Sequence, residues 1–185
     1  AFAVSSDVWR TDNLSNNPPS WTKISAINEQ IKAICSSPTD ANLVYIVTGS
    51  GKIFRSDNAL GTAASFKQVS TAPSSTNSKA SIAVIRTTPD IVYISCGNKV
   101  YRSPDKGVTW TLTSNGLPAT NFNKMYHDTH SNDESIYIAN GAGGVYYKNN
   151  KLSSWVNYSK GLPTIASAND FLLYHEGDYT KSVLR

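Results

Sequence analysis

A β-propeller built from four-stranded antiparallel blades is the fold class this sequence predicts, and three recurring features predict it. The first is an aromatic residue closing a β-like run: Trp9, Phe54, Tyr101 and Tyr146, at separations of 45, 47 and 45 residues. The second is a bulky aromatic that opens a short polar-alternating run: Trp21, Phe66, Trp110 and Trp155, separated by 45, 44 and 45. The third is the apolar triplet Val44-Tyr45-Ile46, repeated as Val92-Tyr93-Ile94 and Ile136-Tyr137-Ile138, with Val183-Leu184 in phase beyond them. Three markers in one register define a repeat, and a period near 45 residues with four strands is the propeller-blade pattern.

The elements follow in order within each unit. Short β-branched and aromatic runs are punctuated by Pro, Gly, Asn and Asp. The clearest unit reads as a strand over residues 81–86, a Thr87-Thr88-Pro89-Asp90 turn, and a strand over 91–95. A Cys96-Gly97-Asn98 turn, a strand over 99–102, a longer turn and a strand over 110–113 complete it. A glycine-rich stretch, Gly141-Ala142-Gly143-Gly144, aligns with Thr48-Gly49-Ser50-Gly51. It lies between two strands with no helix to follow, so it reads as a hairpin turn and not as a phosphate cradle. The whole chain, residues 1–185, is one propeller unit with four related turns, near 11–21, 56–66, 103–110 and 148–155.

Composition agrees with strands and turns. Ser, Thr and Asn supply 58 of the 185 residues, while Asp, Glu, Lys and Arg make up only 16%. The net charge of +4 comes from 17 Lys and Arg spaced singly against 13 acids, so nucleic acid is not an expected partner, because phosphate binding needs clustered cations. No apolar run approaches the roughly 20 residues that span a bilayer, so membrane insertion is not expected. Cys35 and Cys96 occupy different repeat positions and read as two separate thiols. The register also places both chain ends at one phase of the repeat, inside a second strand. Two arrangements are compatible with that: a ring completed by the last strands, or an arc of a longer propeller of about six to eight blades. The mid-strand position and the lack of an initiator Met favour the arc.

Before Trp110 the chain reads Ser103-Pro104-Asp105-Lys106-Gly107-Val108-Thr109-Trp110. This resembles in full the Ser-x-Asp-x-Gly-x-Thr-Trp pattern of the BNR or Asp-box repeat, found in sialidases, sortilin-type receptors, xyloglucan-active hydrolases and photosystem assembly factors. The other copies depart from it: Ser56-Asp57 keeps the start with Phe66 in place of Trp, Thr11-Asp12 leads to Trp21, and Tyr147-Lys148-Asn149 has lost the Asp. The resemblance implies that this turn joins the third and fourth strands, away from the ligand face. Ser103, Asp105, Gly107, Thr109 and Trp110 are therefore expected to be structural. Gly116-Leu117-Pro118 and Gly161-Leu162-Pro163, 45 apart, resemble the blade connectors of large bacterial surface propellers.

Propeller ligands meet the face made by the fourth-to-first and second-to-third connections. Sorted by turn, only Asp7, Glu29 and Asp170 fall on that face, and the other ten acids fall opposite. A glycosidase needs two facing carboxylates, and no local motif links any two of these three, so no catalytic residue is assigned. The cluster His127-Asp128-Thr129-His130 has a metal-like look but aligns with ordinary first-to-second turns, so it reads as a solvated turn and neither metal nor cofactor is expected. Asn13-Leu14-Ser15 and Asn157-Tyr158-Ser159 match the glycosylation acceptor pattern, as chance triplets in a chain this rich in Asn and Ser do. The expected function is a non-catalytic binding or scaffold propeller of a secreted or cell-surface protein, with a glycan or protein ligand and possible further blades as partners. The alternative is part of a glycoside hydrolase resembling the xyloglucan-active propellers.

Overall fold

A computed structural model describes residues 2–76, 79–161, 173–176 and 181–184. The described residues contain strands and no helix. A three-stranded sheet comes first, from β1 (Phe2–Val4), β2 (Asp7–Arg10) and β3 (Thr22–Ala26). Three four-stranded antiparallel meanders follow. They are β4 (Ile31–Ser36), β5 (Val44–Thr48), β6 (Lys52–Ser56) and β7 (Lys67–Thr71); then β8 (Ala80–Val84), β9 (Val92–Cys96), β10 (Lys99–Ser103) and β11 (Thr111–Leu112); then β12 (Phe122–His127), β13 (Ile136–Asn140), β14 (Val145–Lys148) and β15 (Val156–Asn157). A two-stranded sheet, β16 (Leu173–Glu176) and β17 (Lys181–Leu184), completes the series. This is an all-β architecture of consecutive propeller blades. We refer to the first four sheets as blades one to four.

The apolar triplets form the middle of each blade for a physical reason. Strands β5, β9 and β13 are buried at every residue. A strand covered on both faces reads as a continuous apolar run, not an alternating one. Its two faces serve different cores: Ile46 joins Val8 and Ile27 beneath blade one, whereas Tyr45 and Val47 join Ile82, Val84 and Ile94 of blade three. The next junction repeats this, with Tyr93 and Val100 of blade three against Phe122, Met125, Ile136 and Ile138 of blade four. Burying each such side chain stabilises the fold by about 1.5–3 kcal/mol, so the core is a row of inter-blade layers.

Three of the fourth-strand aromatics, Phe66, Trp110 and Trp155, close those layers, whereas Trp21 is exposed. Trp155 is 3% exposed, and its indole Nε1 donates to the carbonyl of Thr113 in blade three at 2.6 Å. Its backbone N–H donates to the Asn115 carbonyl at 2.8 Å. Trp110 Nε1 likewise reaches back to Ser70 Oγ of blade two at 3.0 Å. Phe66, which has no N–H to donate, packs on the layer formed with blade one. Gly116, the first residue of a Gly-Leu-Pro connector, has φ +90°, and an added Cβ would clash with the Trp155 carbonyl oxygen. Only glycine tolerates both that dihedral and that approach. Cys35 and Cys96 are both unbridged.

These contacts set the expected stability changes. Trp155→Ala should cost about 3–5 kcal/mol in urea unfolding. Trp155→Phe, which keeps the ring and loses the indole bond, should cost about 1 kcal/mol. Gly116→Ala should exceed about 1 kcal/mol, because its strain is in the backbone.

Candidate functional site

Two loop faces flank the blades. On one of them the second-to-third turns meet the fourth-to-first connections through the backbone. Gly49 N donates to Gln30 O at 2.8 Å, Gly97 N to Lys79 O at 3.0 Å, and Gly141 N to Asn121 O at 3.1 Å. The same turns hold the start of the next blade, since Ile31 N donates to Ser5 O at 2.9 Å and Phe122 N to Gly97 O at 2.9 Å. Asp7 and Glu29 lie on this face. Asp7 opens β2, immediately after the Ser5-Ser6 turn, and Asn28 N beside Glu29 donates to Ser6 O at 3.0 Å.

The carboxylates of both residues are already engaged. Lys23 Nζ donates to Asp7 Oδ2 at 2.7 Å. Glu29 accepts from the Lys52 ammonium and the Ser50 hydroxyl. Lys52, then Ser50 and Thr48, hold the Glu29 carboxyl down to about 2. A general acid of a glycosidase needs the opposite, a carboxyl raised toward neutrality. Asp170 lies outside the described residues.

On the opposite face the Ser103–Trp110 segment is a polar clamp. Ser103 Oγ donates to Asp105 Oδ1 at 2.8 Å and accepts from the Gly107 amide at 2.8 Å. Asp105 accepts from the Thr109 amide at 2.8 Å and from the Thr109 hydroxyl at 2.6 Å. Lys106 and Gly107 have φ of +62° and +83°, which brings the chain back under the carboxylate. The clamp is anchored to the preceding blade, because Ser70 Oγ donates to Gly107 O at 2.5 Å. Charge-assisted bonds, from Thr109 above all, hold the Asp105 carboxyl at about 2.

The same geometry recurs in blades one and two, on residues that the sequence analysis passed over. Asn58 Oδ1 accepts from Ser56 Oγ at 3.1 Å and from the Ser65 amide at 3.0 Å. Asn13 Oδ1 accepts from Thr11 Oγ1 at 2.7 Å and from the Ser20 amide at 3.1 Å. Asn13 and Asn58, not Asp12 and Asp57, thus stand where Asp105 stands. The bond needs an oxygen acceptor two residues past the hydroxyl, and an amide supplies one as well as a carboxylate. The missed signal is a hydroxyl-x-Asp/Asn step followed by Ser or Thr just before the aromatic: Ser20-Trp21, Ser65-Phe66 and Thr109-Trp110. Blade four departs from it, with Asn149 Oδ1 accepting from the Lys151 and Leu152 amides at 3.1 Å each.

Arginines following the third-strand aromatic brace the same face. Arg10 donates to the Ala59 carbonyl of blade two at 2.9 Å. Arg102 forms a fork to Glu134 of blade four, 2.7 Å on each arm, and Tyr93 Oη donates to the same carboxylate at 2.6 Å.

The reading of residues 127–130 as a solvated turn is corrected for its first two residues: His127 ends β12 and, like Asp128, is 8% exposed, whereas Thr129 and His130 do form a turn with His130 exposed. His127 Nδ1 lies 3.0 Å from the Ser135 carbonyl, which can only accept, so Nδ1 carries the proton. Nε2 is buried with no hydrogen-bond partner. Burial lowers the His127 pKa, and the Arg86 guanidinium adds to this against the opposing influence of Ser135, Asp128 and Asp133. Among the described residues no three His, Cys, Asp or Glu side chains could together hold a metal ion.

No protein-family model and no curated protein sequence matches this chain. Solved structures do. The GH74 xyloglucanase from Xanthomonas campestris superposes with a TM-score of 0.65 at 16% identity, covering 92% of this chain and 30% of that one. Sqt1 from Saccharomyces cerevisiae gives 0.63 at 14%, covering 99% and 51%, and YCF48 bound to D1 peptide gives 0.58 at 11%, covering 85% and 50%. The fold is a β-propeller. At these identities the likeness concerns fold alone, and this chain spans about a third to a half of the propellers compared.

Two pH experiments follow. Asp105 is depressed in the folded state, so its contribution is present above its ordinary value of 3.8 and is lost as pH falls toward 2. Urea midpoints should show that loss in the wild type and not in Asp105→Asn, whose midpoint at pH 7 should stay above that of Asp105→Ala. His127 is also depressed, so the folded state takes up fewer protons than the unfolded one and stability falls as pH drops below about 6.5. A thermal-midpoint profile of His127→Gln should lack that step.

Proposed function

We propose that this chain is an Asp-box propeller unit of a secreted or cell-surface protein, and that it binds a protein or glycan without transforming it. The family assignment is supported by the Ser103, Asp105, Thr109 clamp and its amide counterparts at Asn13 and Asn58. The observation that carries the non-catalytic reading is the state of the loop-face carboxylates. Asp7 is paired with Lys23 and Glu29 with Lys52. A carboxylate bridged to an ammonium is a poor proton donor and a poor nucleophile. A protein ligand is further supported by YCF48, which was solved bound to D1 peptide. The fold likeness to GH74 enzymes favours the second reading, part of a glycoside hydrolase, which would have to draw on Asp170.

A glycan array run beside a reducing-sugar release assay separates the two. Binding without release is the expected result. Release of sugar that disappears in Glu29→Gln or Asp170→Asn would replace the binding reading with the hydrolase. Recovery of a protein partner with no glycan bound would select the protein half of the proposal.

A further inference from the structure

The chain contains two Asn-Gly steps, Asn115-Gly116 and Asn140-Gly141, and the fold treats them in opposite ways. An Asn side chain can close a five-membered ring on the next amide nitrogen, most readily before Gly, which has no Cβ to shield that nitrogen. Asn140 is held against this reaction. It is 2% exposed, its Oδ1 accepts from the Gly144 amide at 2.7 Å, and its Nδ2 donates to Thr120 Oγ1 at 3.1 Å. The Gly141 amide, which would have to attack, donates to Asn121 O at 3.1 Å.

Asn115 lacks every one of these restraints. It is exposed, in a turn closed by Leu117 N on Ser114 O at 3.0 Å. Among the described residues neither its side chain nor the Gly116 amide makes a hydrogen bond. The Gly that permits attack is itself demanded by the fold, because a side chain at 116 would meet the Trp155 backbone. The turn does not demand the Asn. In the next connector Lys160 takes its place before Gly161, whose φ of +89° matches the +90° of Gly116.

We propose that Asn115 is a site of spontaneous deamidation, and that its isoaspartyl product unfastens Trp155 from blade three. The Gly116 nitrogen attacks Asn115 Cγ, the Cγ–Nδ2 bond breaks, and ammonia leaves with the Gly116 proton. Water then opens the succinimide. Attack at Cγ gives Asp, whereas attack at the former main-chain carbonyl gives isoaspartate. In isoaspartate the chain runs through Cγ, gains one carbon before Gly116, and turns the old carbonyl into a free carboxylate. That carbonyl oxygen is the acceptor for Trp155 N at 2.8 Å, and Gly116 is packed against Trp155 and Ser154 with no room for a displaced atom. A reaction in an exposed turn thus reaches a buried contact between blades.

The test is ageing of the folded full chain in warm, mildly alkaline buffer, followed by mass spectrometry of tryptic peptides 107–124 and 125–148. Asn115 should lose its amide on the order of tenfold or more faster than Asn140, which reacts only when its strand end opens locally. Isoaspartate, read by a methyltransferase specific for it, should appear in the first peptide, and the urea midpoint of the aged protein should fall. Asn115→Gln, which would have to close a six-membered ring and does so far more slowly, should keep both its amide and its midpoint. Fresh Asn115→Asp should unfold like the fresh wild type, because its main chain is unaltered. Where the Gln variant fails to fold, the two peptide rates and the isoaspartate content of the wild type decide. The proposal falls if Asn115 keeps its amide, if Asn140 reacts as fast, or if aged protein carrying isoaspartate at 115 keeps the midpoint of the fresh chain. It also falls if fresh Asn115→Asp is as weak as the aged chain, since charge alone would then account for the loss.

Discussion

Everything in this molecule depends on the requirement that each blade be covered on both faces by a neighbour. A strand such as β5, buried at all five residues, cannot be stable in an isolated meander, because one of its faces would meet water. Ile46 needs blade one while Tyr45 and Val47 need blade three. Stability is therefore a chain of nearest-neighbour terms, and the residues that fasten one blade to the next matter more than any residue within a blade.

Two kinds of fastener are visible, and they work at different levels. In blades two to four the aromatic at the start of the fourth strand excludes water from the layer, and Trp110 and Trp155 fix their own depth with an indole bond to the preceding blade. The polar clamp next to it fixes the approach of the chain to that aromatic. Ser103, Asp105 and Thr109 bond only to one another and to nearby amides, yet Ser70 ties their turn to blade two. A local turn is thereby made part of an inter-blade contact. Where the indole is missing, at Phe66, the clamp on Asn58 is kept, which shows that the two devices are separable.

The blade order, the strand positions and the aromatic register were legible from spacing alone, because a period near 45 survives any substitution that keeps size and apolarity. The clamp was legible in one copy only. Asp12 and Asp57 stand one residue before the true acceptors Asn13 and Asn58, and a search for acid finds them first. Both lie on the surface and pair with arginines, Asp12 with Arg10 and Asp57 with Arg55. What the turn selects is an oxygen at a given distance from a hydroxyl, and formal charge is a poor guide to it. The burial of His127 was illegible for a related reason. Repeat register aligned it with ordinary first-to-second turns, and it could not tell that His127 still belongs to β12 and that its ring meets the Ser135 carbonyl.

The loop face and the inner groove differ in a way that sequence order conceals. Lys52 lies 23 positions from Glu29, and Lys23 lies 16 from Asp7. Each pair meets because hairpin turns and blade connections converge on one face. Lys32 and Lys124 are 92 positions apart, yet they line one groove because both occupy innermost strands. The fold thus brings into contact at the rim charges that the sequence keeps apart. Coulomb attraction between exposed ions is weak, but it strengthens where a concave wall displaces water. The rim carboxylates, already held by lysines, set the shape of that face more than its charge.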